Sequence, residues 1–137
     1  MGDGGTLALI AHDGKKNEMV AFAERQRERL ASHRLVATAT TGRLLREGVG
    51  LEVESVLSGP LGGDVQIAAR VATGEIAAVL FLVDPLSPHP HDPDIQAIQR
   101  VCNVHDVPLA TNLATAALLL AGLDQVGENR VDETCDR

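Results

Sequence analysis

The sequence predicts a single-domain α/β protein with a doubly wound, Rossmann-like parallel sheet of five strands and helices on both faces. Short apolar runs alternate with helix-like stretches along the 137-residue chain, and this alternation is typical of parallel strands joined by right-handed crossovers. Apolar residues make up 45% of the chain, but Phe22 and Phe81 are its only aromatic residues. A core of Leu, Ile, Val and Ala suits a parallel sheet covered by helices.

The predicted strands are short runs of mostly apolar residues, as expected for strands that are buried on both faces. Each run is bounded by turn residues or by the start of a helical pattern. In chain order the predicted strands are Leu7–Ala11, Leu35–Thr38, Glu52–Leu57, Ala78–Val83 and Pro108–Ala110.

The helices are predicted from apolar residues that recur three or four positions apart. Gly74 and Gly122 follow two of these patterns, where Gly commonly ends a helix. Asp92 and Pro93 suit the N-cap and the first position of another helix, after a proline-rich loop from Asp84 to Pro93. The predicted helices are Asn17–Ser32, Thr41–Gly48, Val65–Thr73, a helix from Asp92-Pro93 to about His105, and Leu113–Ala121.

Composition and charge exclude several classes of function. The formal net charge of −7 disfavours nucleic acids and anionic membranes, which both bind basic surfaces. Cys102 lies on the apolar face of a helical pattern and Cys135 near the chain end, and neither belongs to a CxxC motif. With no apolar run long enough to span a membrane and no signal-peptide pattern, we expect a cytoplasmic protein.

The segment Ser58–Asp64 is the most informative motif. It places a Gly- and Pro-containing turn between a predicted strand and a predicted helix, where backbone N–H groups and the helix dipole favour anions. Asp64 has two interpretations: it is the N-cap of the following helix, or it is a base beside an anion site. A base beside a bound phosphate indicates proton abstraction from a phosphorylated substrate.

Polar residues also follow three other predicted strands, in the segments His12–Lys16, Thr38–Gly42 and Asp84–Asp94. The carboxyl ends of parallel strands meet at one edge of a sheet, where ligands bind. We therefore expect the polar residues of these segments to lie together at that edge, which turn chemistry alone does not explain. The alternative interpretation makes Thr40 and Thr41 helix caps and Lys16 a surface lysine.

Two other kinds of site are disfavoured. The cluster of His89, His91, Asp92 and Asp94 could bind a metal, but prolines flank both histidines and the spacing fits neither a zinc protease nor an EF-hand. We therefore expect no metal. A Rossmann-type nucleotide site is also disfavoured, because no GxGxxG follows the first strand.

Together these motifs resemble the methylglyoxal synthase family, in order and spacing, over roughly residues 6–121. The resemblance implies conversion of dihydroxyacetone phosphate to methylglyoxal and inorganic phosphate without a cofactor, by a homohexamer that phosphate inhibits. It also implies a domain over residues 1–125 and a divergent polar tail over 126–137. The segments that carry it are Ala11–Lys16, Thr38–Gly42, Ser58–Asp64, Asp84–Leu86, Pro90–Asp94 and Ala110–Asn112.

The resemblance also assigns roles to individual residues. It makes Asp64 the catalytic base, gives His91 and Asp94 a part in moving protons on the substrate oxygens, and makes His12 a residue that orients the substrate. Its phosphate-binding set is Lys16, Thr38, Thr40, Thr41, Ser58 and Gly59.

An alternative function comes from a different class of protein. Similar domains serve as allosteric effector-binding units in carbamoyl-phosphate synthetases. Such a small-molecule-sensing module needs the phosphate site but no base, so Asp64, His91 and Asp94 together favour an enzyme.

Overall fold

The sheet of this protein is parallel throughout and has the strand order β3-β2-β1-β4-β5. The structure, a computed structural model, describes residues 5–86 and 95–123. Because the strand order reverses between β1 and β4, ligands are expected at the carboxyl ends of these central strands. The strands are β1 (Thr6–Ala11), β2 (Arg34–Ala37), β3 (Glu54–Ser55), β4 (Ile76–Leu82) and β5 (Leu109–Ala110).

Helices cover both faces of the sheet, which confirms the predicted doubly wound fold. Short 3-10 turns at Asp13–Lys15 and Gly59–Leu61 precede two of the helices. No helix within residues 5–86 and 95–123 is long and apolar enough to cross a membrane. The helices are α1 (Lys16–Arg25), α2 (Arg27–Ala31), α3 (Ala39–Val49), α4 (Gly63–Ala72), α5 (Ile95–His105) and α6 (113–123).

The core consists of two apolar layers, one on each side of the sheet. Along β1, Leu7 and Leu9 face the layer formed with α1, α3 and α6, while Ala8 and Ile10 face the layer formed with α4 and α5. All four are fully buried, as expected for a central strand with helices on both faces. Cys102 lies in the second layer, so its prediction as a core thiol is confirmed.

Three predicted elements differ most from those observed, while α3 and α4 each begin two residues earlier than predicted. The single helix predicted over Asn17–Ser32 is divided at Gln26, and the guanidinium of Arg27 then bonds the carbonyl oxygens of Val49 and Gly50 at the end of α3. The structure gives β3 two residues instead of the predicted six. The Val56 N–H still donates to the Ala37 carbonyl oxygen at 2.9 Å, and the next N–H, that of Leu57, donates to the Gln66 side chain at 2.7 Å.

The end of α6 is the third difference. Gly122 was predicted to end this helix, but residues 122 and 123 remain helical. Gly122 has no positive φ, and Leu123 packs against the core, so burial continues the helix. Gly74 has φ +83 just after α4 and ends it as predicted.

Candidate active site

Three loops meet at the carboxyl edge of the sheet and enclose a cleft of about 270 Å³. They follow β1, β2 and β3, as predicted from the polar residues after these strands. This volume is suited to a small molecule rather than to a dinucleotide. The lining residues are Ala11, Asp13, Lys16, Thr38, Thr40, Ser58, Gly59 and Pro60.

The structure brings five of the seven predicted binding residues into the wall of this cleft. Lys16, Thr38, Thr40, Ser58 and Gly59 line it. The other two, His12 and Thr41, are chain neighbours of lining residues and are buried, 5% and 1% exposed.

Lys16 provides the positive charge of the cleft. Its ammonium group donates to the Ala11 carbonyl oxygen at 3.0 Å and to the Asp13 carboxylate at 2.8 Å. The Lys16 side chain is 16% exposed, so Lys16 is held against the end of β1 and is not the solvated surface lysine of the alternative interpretation. Asp13 also lines the cleft, where it pairs with Lys16. The sequence analysis did not include Asp13 among the site residues.

The start of α3 presents hydroxyl groups and backbone N–H groups to the cleft. Thr38 is the N-cap residue, so the interpretation of Thr40 and Thr41 as caps is wrong. The Thr38 side chain makes no capping hydrogen bond in the described part of the chain. The Thr41 hydroxyl is buried and has no hydrogen-bond partner among the described residues. A helix start with backbone N–H groups and nearby hydroxyl groups is well suited to an anion.

The Ser58–Asp64 segment forms the third wall. The Ser58 carbonyl oxygen accepts hydrogen bonds from Leu61 at 3.0 Å and Gly63 at 2.9 Å, which folds the chain into a tight turn. A Cβ on Gly63 would overlap the Leu57 carbonyl oxygen, so only Gly fits there. This close approach allows α4 to begin immediately after the turn.

Asp64 lies in the first turn of α4 and is 9% exposed. The N-cap of α4 is Gly62, with φ +101, so the interpretation of Asp64 as the N-cap is wrong. Asp64 does not line the cleft itself, but it follows the Gly59–Leu61 turn, whose first two residues do. Asp64 is thus a buried carboxylate close in the chain to the wall of the cleft.

His12 directly follows β1 and links the end of this strand to the chain after β4. Its Nδ1 accepts a hydrogen bond from the Asp84 backbone N–H at 3.0 Å. The ring meets Phe81 edge-on, with centroids 5.3 Å apart and an interplanar angle of 87°. Sequence reasoning did not find Asp84 as a partner of His12, although its position directly after β4 is the signal that could have shown it.

Two predicted catalytic residues, His91 and Asp94, lie outside the described residues. The metal alternative at His89, His91, Asp92 and Asp94 lies there as well. Within residues 5–86 and 95–123, no group of His, Cys, Asp and Glu side chains could hold a metal ion.

Comparisons with known proteins identify the family. The family model described as the MGS-like domain matches residues 18–111. The methylglyoxal synthase of Thermus thermophilus is 64% identical over 115 residues, which are 84% of this chain and 91% of that protein. The methylglyoxal synthase of Moorella thermoacetica is 53% identical over 124 residues, 90% of this chain and 97% of that protein.

A solved structure agrees with these sequence relatives. The crystal structure of the methylglyoxal synthase from Elizabethkingia anophelis NUHP1 matches with a TM-score of 0.83 and 44% identity, over 85% of this chain and 76% of that one. The resemblance carried by the sequence motifs is therefore confirmed, and the chain belongs to the methylglyoxal synthase family of enzymes.

Proposed function

We propose that this chain is a carbon–oxygen lyase that converts dihydroxyacetone phosphate to methylglyoxal and inorganic phosphate, with Asp64 as the base. One observation carries the proposal: the buried Asp64 carboxylate lies in the first turn of α4, shortly after the Gly59–Leu61 turn, which helps to line a cleft with Lys16, Thr38, Thr40 and Ser58. The family membership of the chain supports the same reaction.

The cleft holds the phosphate group of the substrate. Lys16 supplies a positive charge, and Thr38, Thr40 and Ser58 supply hydroxyl donors. The start of α3, an eleven-residue helix, adds backbone N–H groups and the positive end of its dipole. A phosphate held on three sides cannot rotate freely. The bond between the substrate carbon and the phosphate oxygen can therefore be kept perpendicular to the plane of the reacting carbons, which is the geometry that favours its cleavage.

The reaction begins when Asp64 takes a proton from the carbon that bears the free hydroxyl group, on the side of the ketone away from the phosphate ester. The electron pair of that C–H bond forms the enediolate, and a hydrogen-bond donor at His12 stabilises the charge on its oxygen. The electrons then expel phosphate and break the C–O bond. The resulting enol takes up a proton at carbon to give methylglyoxal. The atoms balance without water, oxidant or reductant.

His91 and Asp94 complete the proposal as the groups that move protons between the substrate oxygens. A sensing module would need the phosphate cleft but no base. Asp64 is buried and the N-cap role is filled by Gly62, so helix capping does not account for this carboxylate, which favours the enzyme.

Further parts of the proposal concern regulation and assembly. Inorganic phosphate is a product and fits the same cleft, so phosphate inhibits the reaction by occupying the cleft.

The chain assembles as a cytoplasmic homohexamer, with its domain over residues 1–125 and a separate tail over 126–137. Native mass spectrometry tests the assembly, and a monomeric mass at working concentration would contradict it.

The reaction is tested by supplying dihydroxyacetone phosphate to the purified protein and measuring both products. Methylglyoxal is trapped with an aromatic diamine, and phosphate is measured in the same sample. We expect equal amounts of the two, and none from unphosphorylated dihydroxyacetone. Phosphate release without methylglyoxal would identify a phosphatase and overturn the proposal.

A further inference from the structure

The parallel ladder between β1 and β4 ends in an unusual way at His12. The His12 N–H donates to the Leu82 carbonyl oxygen at 3.0 Å, one step beyond the pair Ala11 and Leu82. The next bond of a parallel ladder would join the Asp84 N–H to the His12 carbonyl oxygen. That oxygen instead accepts from the Lys15 N–H at 2.8 Å, and the Asp84 N–H donates to the His12 ring at Nδ1. The imidazole thus replaces the backbone acceptor at the last step of the ladder.

This replacement determines where the ring carries its proton. A nitrogen that accepts a hydrogen bond from a peptide N–H has no proton of its own, so His12 is neutral and its proton is on Nε2. The ring cannot turn over easily, because it is 5% exposed and its edge contact with Phe81 fixes its plane. His12 therefore presents Nε2–H as a hydrogen-bond donor.

Leu86 and Gly14 fix the position of Asp84, whose backbone N–H donates the hydrogen bond to His12. The Asp84 carboxylate accepts a hydrogen bond from the Leu86 N–H at 3.2 Å, which closes a turn directly after β4. A Cβ on Gly14 would overlap that carboxylate and lie 3.2 Å from its carbon. Only glycine at position 14 leaves room for the Asp84 side chain in this position.

We propose that Gly14 and Asp84 are positioning residues that hold His12 in the neutral tautomer with its proton on Nε2. The role of that proton rests on the proposed function, in which Nε2–H donates a hydrogen bond to the enediolate oxygen. The tautomer itself follows from the contacts of His12 alone, so the two parts can be tested separately. A charged or Nδ1-protonated His12 could not accept from the Asp84 peptide.

The tautomer is measured by NMR of protein labelled with ¹⁵N in its histidine rings, with His12→Gln to assign the signals. We expect the His12 Nδ1 to show the shift of an unprotonated nitrogen and Nε2 that of a protonated one. Protonation at Nδ1 in the wild-type protein would overturn the inference.

The positioning role is tested with Gly14→Ala, and Gly48→Ala is the matched control. A Cβ on Gly48 meets only Val20 at an ordinary 3.7 Å. We expect Gly14→Ala to give a mixture of tautomers and a kcat about 10- to 100-fold lower, with a smaller change in KM, because the donor acts mainly in the transition state. The control should match the wild type in both. A folded Gly14→Ala protein with an unchanged ring and unchanged kcat would overturn the inference.

A second pair of variants decides the question even where Gly14→Ala does not fold. The amide N–H of His12→Gln reaches the place of Nε2–H, whereas the His12→Asn side chain reaches only the place of Nδ1. We expect His12→Gln to retain about 10²- to 10³-fold more kcat, in line with the cost of removing one oxyanion donor. Equal or greater activity of His12→Asn would overturn the inference. A wild-type protein with the Nε2–H tautomer but no methylglyoxal would support the tautomer and contradict the proposed function.

Discussion

The ammonium group of Lys16 lies 2.8 Å from the carboxylate of Asp13, and both residues line the cleft of the candidate active site. The two side chains differ in exposure, at 16% for Lys16 and 63% for Asp13. An exposed carboxylate contributes little net stability to an ion pair, because water competes for both charges. An arriving phosphate group can therefore replace Asp13 as the partner of Lys16 at a small cost in free energy.

Removing the Lys16 charge should weaken phosphate binding. Lys16→Gln keeps an N–H for the Ala11 carbonyl oxygen but loses a hydrogen bond from a charged donor. This should raise the Kd for inorganic phosphate about tenfold or more in calorimetry. Lys15→Gln is the control, because Lys15 pairs with Glu18 at 3.0 Å and does not line the cleft. Equal affinities in the two variants would show that Lys16 does not hold the phosphate.

The Ser58–Asp64 turn should not tolerate a side chain at Gly63. A Cβ there would lie 2.8 Å from the Leu57 carbonyl carbon, and backbone cannot move aside as a flexible side chain can. We expect Gly63→Ala to lower the free energy of unfolding by about 2–3 kcal/mol in urea titration and to lower kcat by moving Asp64. Gly122→Ala has nothing within 4 Å and should not be destabilised. A fully stable Gly63→Ala protein would contradict this account of the turn.

The stability of the protein should fall in acid partly through Glu54. Hydrogen bonds from the Arg70 guanidinium, at 2.6 and 3.0 Å, hold the pKa of Glu54 below its ordinary value of 4.5. A lowered pKa gives stability that is present above the ordinary pKa and is lost as the pH falls through the lowered one.

Because the Glu54 side chain is 58% exposed, the effect should be small, about 0.2–1 kcal/mol. Glu54→Gln should cost stability at pH 6 and almost none at pH 2 in urea titration. The same loss at both pH values would show that the pair does not act through the carboxylate charge. Glu47→Gln, from an exposed pair 3.7 Å long, is the control.

The stability of the folded protein should fall in alkaline conditions through the ionisation of Cys102. Burial raises the pKa of this thiol from 9.0 to about 11, so the unfolded chain ionises before the folded one does. The resulting stability is complete below pH 9 and is lost as the pH rises towards 11. Cys102→Ala should be less stable at pH 7 but should lose less of its remaining stability between pH 9 and pH 11. An equal loss over that range in both proteins would contradict the assignment.

The fold could be predicted because its signals are local and repeated. Val36, Ile10 and Leu80 belong to runs that are apolar on both faces, which only a parallel sheet between helices explains. The division of the first helix at Gln26 could not be predicted, because Arg27 bonds the end of α3, more than twenty residues away.

The site was predictable to the extent that its residues follow strand ends. The resemblance assigned Thr38 and Ser58 to the site, both follow predicted strands, and both line the cleft. The position of Asp84 after β4 was the only signal for its contact with His12, because the hydrogen bond comes from a backbone N–H and does not depend on the side chain of residue 84. The burial of Asp64, which distinguishes a base from a cap, depends on how tightly Gly63 meets Leu57, and that contact is known only from the fold.

The central claim is that Asp64 is the base in the production of methylglyoxal. Asp64→Asn keeps the size of the side chain and removes its basicity, and Asp106→Asn is a matched control at a surface position with φ +57, which Asn tolerates. The initial rate of methylglyoxal formation from dihydroxyacetone phosphate is measured for the wild type and both variants, and phosphate binding confirms that each is folded. The account predicts that Asp106→Asn retains the wild-type rate, while Asp64→Asn binds phosphate normally and loses about 10²- to 10⁴-fold in kcat. Full turnover by Asp64→Asn would contradict it.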